Sequence, residues 1–348
     1  MLAKRVAFAD GIRAYAALSV VVVHTSATLL YTSVGSSGWW IANVFASAMQ
    51  PVMPLFVMLS GILLLDPSKE DSLKAFFVKR VRRVVLPFFA WGVIYLCWRA
   101  LFHGEALSVG AGVKAFVQGT IYSGFDFIYL LVGLYLVTPI LRTYLRTAKP
   151  RDVSFFLILW FLAVTIPPMI AKFAQLQLAL KVPVVASAVG YFVLGHALRD
   201  VRLRKLHTAL LGFGVVGLTA VTAVGTGMLS TTQKGDFFLY NTLTPNMILL
   251  AVSVFLVVKS LPWDYLFSRS TVARGVVTAT SLSSLGVYFM NFMVLETLRS
   301  GRLGFVLRGT TVHPLLGIPM TALVAAACCV VLSTALRRIP LARDLLGK

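Results

Sequence analysis

The chain has 348 residues, 58% of them apolar and only 13% charged, and its mean hydropathy is +0.86. Soluble domains carry about a quarter charged residues, so a water-soluble enzyme or binding module is excluded and an all-α, polytopic transmembrane helical bundle is predicted. The net charge of +20 would suit a nucleic-acid binder, but the basic residues stand in short clusters at the ends of apolar segments. That placement points to orientation in a bilayer, anionic lipids and anionic ligands at one face, and away from nucleic acid.

Ten spans follow from the apolar blocks: 12–32, 44–65, 84–102, 125–142, 153–171, 183–198, 207–228, 240–258, 280–298 and 315–335, in a single membrane domain covering 1–348. Lys4 and Arg5 precede the first block as in a signal peptide, but the block is too long and contains Arg13 and His24, so it reads as a retained span. With a cytoplasmic N-terminus, 23 of the 32 Lys and Arg fall on the inner side and eight on the outer. That bias predicts both termini in the cytoplasm.

In the first span Arg13 and His24 are eleven residues apart. At about 100° per residue they share nearly one helix face, roughly 16 Å apart along the axis. Two ionisable groups on one stripe of a membrane helix require a polar interior. Taken singly, Arg13 also fits a snorkelling interfacial arginine, with Asp10 as its partner, and His24 a histidine bonded to a neighbouring helix. Pro51 and Pro54 fall inside the second span and predict a broken or bent helix. Ser60 and Gly61 suit a close helix crossing as well as chemistry.

The segment 66–83 reads as the most basic inner loop, with Lys74, Lys79, Arg80, Arg82 and Arg83 ahead of Pro87. Its cations divide between holding the anionic leaflet and binding a phosphorylated cytosolic ligand. There is no Walker loop, and Gly212, Gly214 and Gly217 read as helix-packing glycines. Asp126 opens the fourth span, while Asn241, Thr244 and Asn246 sit at the outer end of the eighth and are candidates for lining an external cleft. In the ninth span Tyr288, Asn291 and Glu296 are the polar candidates, Asn291 lying near mid-membrane, where its amide needs partners. The last span reads as packing material, Cys97, Cys328 and Cys329 as small packing residues, and nothing has metal-ligand spacing.

These residues carry a resemblance. The chain resembles the acyltransferase-3 family of integral membrane sugar O-acyltransferases. Within it the chain is similar to the stand-alone bacterial O-acetyltransferases such as the enterobacterial common antigen enzyme. The matching elements are Arg13 and His24 in GIRAYAALSVVVVH, Ser60 and Gly61 in MPLFVMLSG, the basic run KRVRRVVLP, GLYLVTPILR, and SLSSLGVYFMN in the ninth span. Two positions depart from the family pattern: Gly124 and Asp126 stand where many members have a histidine and tryptophan, and Asn291 stands where many have a histidine.

The resemblance implies transfer of an acyl group, usually acetyl from cytosolic acetyl-coenzyme A, to a hydroxyl of a carbohydrate or lipid-linked sugar at the outer face of the bacterial inner membrane. Arg13, Lys79, Arg80, Arg82, Arg83 and Ser60 would then serve the donor, and His24 would act as general base or be acetylated in a two-step transfer. Tyr288 or Asn291 would stabilise the oxyanion, and Asp126, Asn241, Asn246 and Glu296 would meet the acceptor. The alternative function is a secondary transporter or an exporter of a lipid-linked sugar or anionic solute, which would also use a broken helix and buried ionisable groups. The chain has no clear two-half repeat to favour it.

Overall fold

The computed structural model describes residues 7–32, 34–66, 68–69, 71–106, 108–122, 124–178, 184–340 and 342–347. Lys4, Arg5 and Lys181, three of the cations that orient the chain, lie outside them. Among the described residues there is no strand, and nine helices are long and apolar enough to cross a membrane. In chain order the helices are α1 (Ala7–Leu30), α2 (Ser37–Met49), α3 (Val52–Leu64), α4 (Leu73–Arg80), α5 (Leu86–His103), α6 (Val109–Gln118) and α7 (Asp126–Thr147). They continue as α8 (Pro150–Phe173), α9 (Val184–Ala197), α10 (Lys205–Leu229), α11 (Pro245–Ser260), α12 (Trp263–Arg269), α13 (Thr271–Arg299) and α14 (Pro314–Leu336).

Local chemistry explains the boundaries. Ser36, Ser72, Ser108 and Ser270 cap α2, α4, α6 and α13 by accepting a backbone N–H with the side-chain oxygen. The second span breaks at Gln50-Pro51, as its prolines predict, and runs on as α3. The basic stretch 66–83 is a correction: from Leu73 it is helical, and α4, a wide π-type turn at Val81–Val85 and α5 form one 31-residue rod. Ser72 starts the helix there because its hydroxyl accepts from Ala75 N, a local signal that outweighs the cluster of cations. The ninth span likewise starts at Thr271, capped by Ser270, rather than at 280.

The core is built around α1, whose Ile12, Ala16, Ala17 and Val21 are almost fully buried. These small and branched side chains let α13, α2, α14 and α3 approach α1 closely. The two ends of α1 name the two ends of the bundle. At the Asp10 end, Ser281 of α13 donates to the Asp10 carboxylate at 2.6 Å. At the His24 end, the His24 ring lies 4.0 Å from that of Phe292. The two contacts ascend both helices together, so α1 and α13 run in the same direction.

The sixth expected span is a correction in length. The helix α9 has 14 residues, about 21 Å at 1.5 Å per residue against a hydrocarbon core of about 30 Å. Its Ser187, Ala188, Tyr191, Phe192 and Val193 are buried, so protein rather than lipid surrounds it. Even so it is directed like a full pass. Arg199, just past its end, lies 3.6 Å from Asp66, just past the end of α3, and Lys259 at the end of α11 donates to the carbonyls of Leu198 and Val201. The helices α3, α9 and α11 therefore all finish at the Asp10 end, and the parity between α1 and α13 is kept.

Gly61 and Gly195 make the α3–α9 crossing possible. A Cβ on either would collide with backbone of the other helix, at Phe192 and Met58. Gly212, Gly214 and Gly217 are a further correction, since nothing lies within 4 Å of an added Cβ at any of them. They lie on α10, a helix with little of its surface buried, and pack against no neighbour among the described residues.

Candidate active site

The described polar side chains gather at both ends of the bundle. At the Asp10 end the ring of Phe76, 1% exposed, lies between two guanidinium groups: Arg80 and Arg142 each have the central carbon 5.0 Å from its centroid. Arg80 also lies over Tyr135, and Arg142 donates from Nε to the Leu64 carbonyl at 2.6 Å. Arg80 Nε and Arg142 Nη2 are buried with no hydrogen-bond partner among the described residues. The aromatic contacts hold the guanidiniums in place while leaving donors over, an arrangement that suits phosphate oxygens.

Other cations add to the positive field. Arg83 lies within electrostatic range of Arg80. Lys69, which donates to the Leu63 carbonyl, is within range of both Arg80 and Arg142, and its burial lowers its pKa from the ordinary lysine value. Among the predicted donor residues, Arg80 is in this cluster, Arg83 is at its edge and Arg82 is exposed on the wide turn. Lys79 pairs with Asp71 at 2.9 Å instead. Arg13 lies 3.7 Å from Asp10, and Ser60 is half-buried on α3 beside the crossing glycine. In the sequence Arg142 is only the last residue of GLYLVTPILR, at the end of the fourth expected span. That position was the available signal.

At the His24 end two cavities share His24. One of about 370 Å³ is lined by His24, Thr28, Arg299, Arg308, Thr310 and Thr321, among others. The other, about 360 Å³, adds Tyr31, Tyr122 and Phe292. Apart from its ring contact with Phe292, His24 has no hydrogen-bond partner among the described residues, so its ring nitrogens are not committed to a neighbouring helix. Because α1 is unbroken from Ala7 to Leu30, the shared face of Arg13 and His24 expected from periodicity carries over to the folded helix.

The predicted partners on α13 occupy successive turns. Phe292 touches His24, while Tyr288, one turn nearer the Asp10 end, donates its hydroxyl to the Gly124 carbonyl. Gly124 adopts φ +95°, a left-handed conformation open to glycine, which turns the chain into α7. Asn291 is 1% exposed; its amide nitrogen donates to Val287 O at 3.0 Å and Tyr288 O at 2.7 Å, and its buried Oδ1 has no partner among the described residues. Tyr122 was missed by sequence reasoning. Its ring packs 4.9 Å from Phe292, and its hydroxyl has no hydrogen-bond partner among the described residues on the wall of the His24 cavity.

The predicted acceptor residues are not brought together. Asp126 lines a third cavity, of about 450 Å³, beside the broken second span, which does not include His24. Glu296 accepts from Trp98 Nε1 at 3.1 Å and has His103 Nε2 at 3.0 Å, tying α13 to α5. Asn246 donates to Thr222 Oγ1 and Leu239 O, both at 2.9 Å, as a strut between α10 and the start of α11. Asn241 accepts from Leu243 N at 3.0 Å in a turn. Among the described residues, no group of three or more His, Cys, Asp or Glu side chains has the grouping of a metal site.

No curated protein, the enterobacterial common antigen enzyme included, and no solved structure matches the chain. A family model described as an acyltransferase domain, Acyl_transf_3, matches residues 6–335, which takes in α1 with its Arg13 and His24, the basic cluster around Phe76 and nearly all of α14. The chain belongs to the Acyl_transf_3 family of membrane acyltransferase domains.

Proposed function

We propose that the protein is a membrane O-acetyltransferase of the stand-alone bacterial kind, carrying acetyl from cytosolic acetyl-coenzyme A to a hydroxyl of a carbohydrate or lipid-linked sugar beyond the inner membrane. The observation that carries this reading is His24: an imidazole with no hydrogen-bond partner among the described residues, opening on two cavities at one end of α1, with unpartnered guanidinium donors at the other end of the bundle. The distribution of Lys and Arg supports a cytoplasmic Asp10 end. Membership of the family favours transferase over transporter.

In this reading Arg80 and Arg142 take phosphates of the donor, with Arg83 and Lys69 adding field and Arg13 guarding the foot of α1. The pantetheine arm follows α1 to place its thioester at His24. The neutral imidazole accepts the proton of the sugar hydroxyl as its oxygen attacks the thioester carbonyl carbon. The tetrahedral oxyanion then collapses, the carbon–sulfur bond breaks, and the departing thiolate takes the proton back from the imidazolium. Tyr122 is the best-placed oxyanion donor because its hydroxyl is free within the His24 cavity. Tyr288 would first have to leave the Gly124 carbonyl, and Asn291 has both its donors on its own helix.

The test uses purified protein in liposomes with acetyl-labelled coenzyme A inside and extracted envelope glycans outside. Label in the glycan, lost on His24→Gln, supports the reading. Passage of sugar or coenzyme A with no covalent transfer would replace it with transport.

A further inference from the structure

We infer that the acceptor sugar carries an oxyanion, a phosphate or a carboxylate, which Arg299 and Arg308 clamp beside His24; this rests on the transferase reading above. Arg299 lines both cavities that contain His24, and Arg308 lines the larger. Neither guanidinium has a carboxylate within 4 Å among the described residues. The nearest acid along α13, Glu296, has its oxygens engaged by Trp98 and His103 and forms no ion pair with Arg299 among the described residues. Both arginines are solvent-exposed and line one cavity of about 370 Å³, so they present two guanidinium forks to an anion entering it.

The cavity is built to hold them in place. Past α13 the chain turns at Gly301 and Gly304, with φ +75° and +81°, and folds back so that Leu307 N donates to Leu298 O at 2.8 Å. Arg308 N then donates to Thr311 Oγ1 at 2.8 Å, fixing the backbone from which its side chain leaves. A second observation points to a polar ligand: Thr321 of α14, only 2% exposed, lines the same cavity with a hydroxyl that has no partner among the described residues. Thr28 and Thr310 add hydroxyls to the wall. Guanidinium forks recognise the oxyanion, threonine hydroxyls the sugar, and His24 the hydroxyl to be acylated. A lipid headgroup offers the same phosphate chemistry, so the test compares nanodiscs with and without anionic lipid to separate the two sources.

The deciding experiment reads binding without the donor. Wild-type protein in phosphatidylcholine nanodiscs is titrated with glucose 1-phosphate, methyl glucuronide and the neutral methyl glucoside, at low and at physiological salt. At least one charged sugar binds about tenfold or more tightly than the neutral one, and the preference weakens with salt. Arg299→Gln and Arg308→Gln each reduce that preference about threefold, the double variant abolishes it, and the paired Lys substitutions, which keep charge and fold but lose the fork, retain part of it. Equal affinity for charged and neutral sugars overturns the clamp, as does a preference that survives in the double variant or appears only with anionic lipid present. The comparison of phosphate with carboxylate names the anion. Binding through these arginines without any acetyl transfer would sink the transferase reading and leave the clamp standing; transfer with equal use of neutral and charged sugars would do the reverse.

Discussion

The α3–α9 crossing can be tested by adding one methyl group. In Gly61→Ala the new Cβ would lie 2.9 Å from the Phe192 carbonyl carbon and nearer still to its oxygen. In Gly195→Ala it would lie 2.5 Å from both the carbonyl carbon and the Cα of Met58. Ordinary carbon contacts are about 3.5–4.0 Å, so the helices must part by on the order of 1 Å, enough to forfeit a quarter to a half of each lost dispersion contact. Backbone atoms cannot rotate away as a side chain can, and overpacking of this kind costs about 1–3 kcal/mol. Because both methyls press on one crossing, the first substitution opens room for the second, and the double variant should cost less than the sum of the singles. The assay is reversible unfolding of the reconstituted protein in mixed micelles. Gly212→Ala is the matched control: with nothing within 4 Å of its Cβ, it should be neutral or stabilising by up to about 1 kcal/mol. A Gly61→Ala protein as stable as wild type, or singles that add fully, would refute the close backbone crossing.

Other expectations follow from single contacts. Arg80→Gln and Arg142→Gln should each raise KM for acetyl-coenzyme A about tenfold, through loss of a charge-assisted hydrogen bond, with less effect on KM for the acceptor; equal effects on both substrates would argue against a donor site at Phe76. Tyr122→Phe should lower kcat more than Tyr288→Phe, since the Tyr122 hydroxyl has no hydrogen-bond partner among the described residues whereas that of Tyr288 donates to the Gly124 carbonyl; the reverse order in initial-rate measurements would assign the oxyanion to Tyr288. The Asp66 carboxyl is held below its ordinary pKa by the Ser68 hydroxyl and amide, with Arg199 adding attraction. Its folded-state pKa is depressed, so this stabilisation is present above the unfolded value of about 3.9 and is lost as pH falls through the folded value. Asp66→Asn should therefore be less stable than wild type at pH 7, and the difference should close in acid; a gap in melting temperature independent of pH would contradict the link.

Patterns that depend on a short stretch of chain were legible in the sequence. Apolar length gives the long helices, the prolines at 51 and 54 give the break, and an eleven-residue spacing gives the common face of Arg13 and His24. Positions whose meaning depends on distant chain were not. Arg142 looks like an ordinary end-of-helix arginine until α4 brings Phe76 against it, and only folding brings Tyr122 and Arg299 to one of the His24 cavities and Arg299, Arg308 and Thr321 to the other. The misread glycines have the same origin: spacing cannot tell whether a smooth helix face meets a neighbour, as at Gly61, or open space, as at Gly212. Asn246 and Glu296 are buried or half-buried polar groups of the kind that suggests function, and the structure gives both of them interhelical partners.

The central claim is that His24 takes the proton of the acceptor hydroxyl. The most direct measurement is single-turnover transfer of labelled acetyl from coenzyme A to native envelope glycan, comparing wild type with His24→Gln, a substitution that keeps the side-chain volume close and removes the base. The account predicts a loss of about 10²–10⁴-fold in the transfer rate, with donor binding and unfolding midpoint unchanged. Transfer at the wild-type rate by the glutamine variant would contradict it.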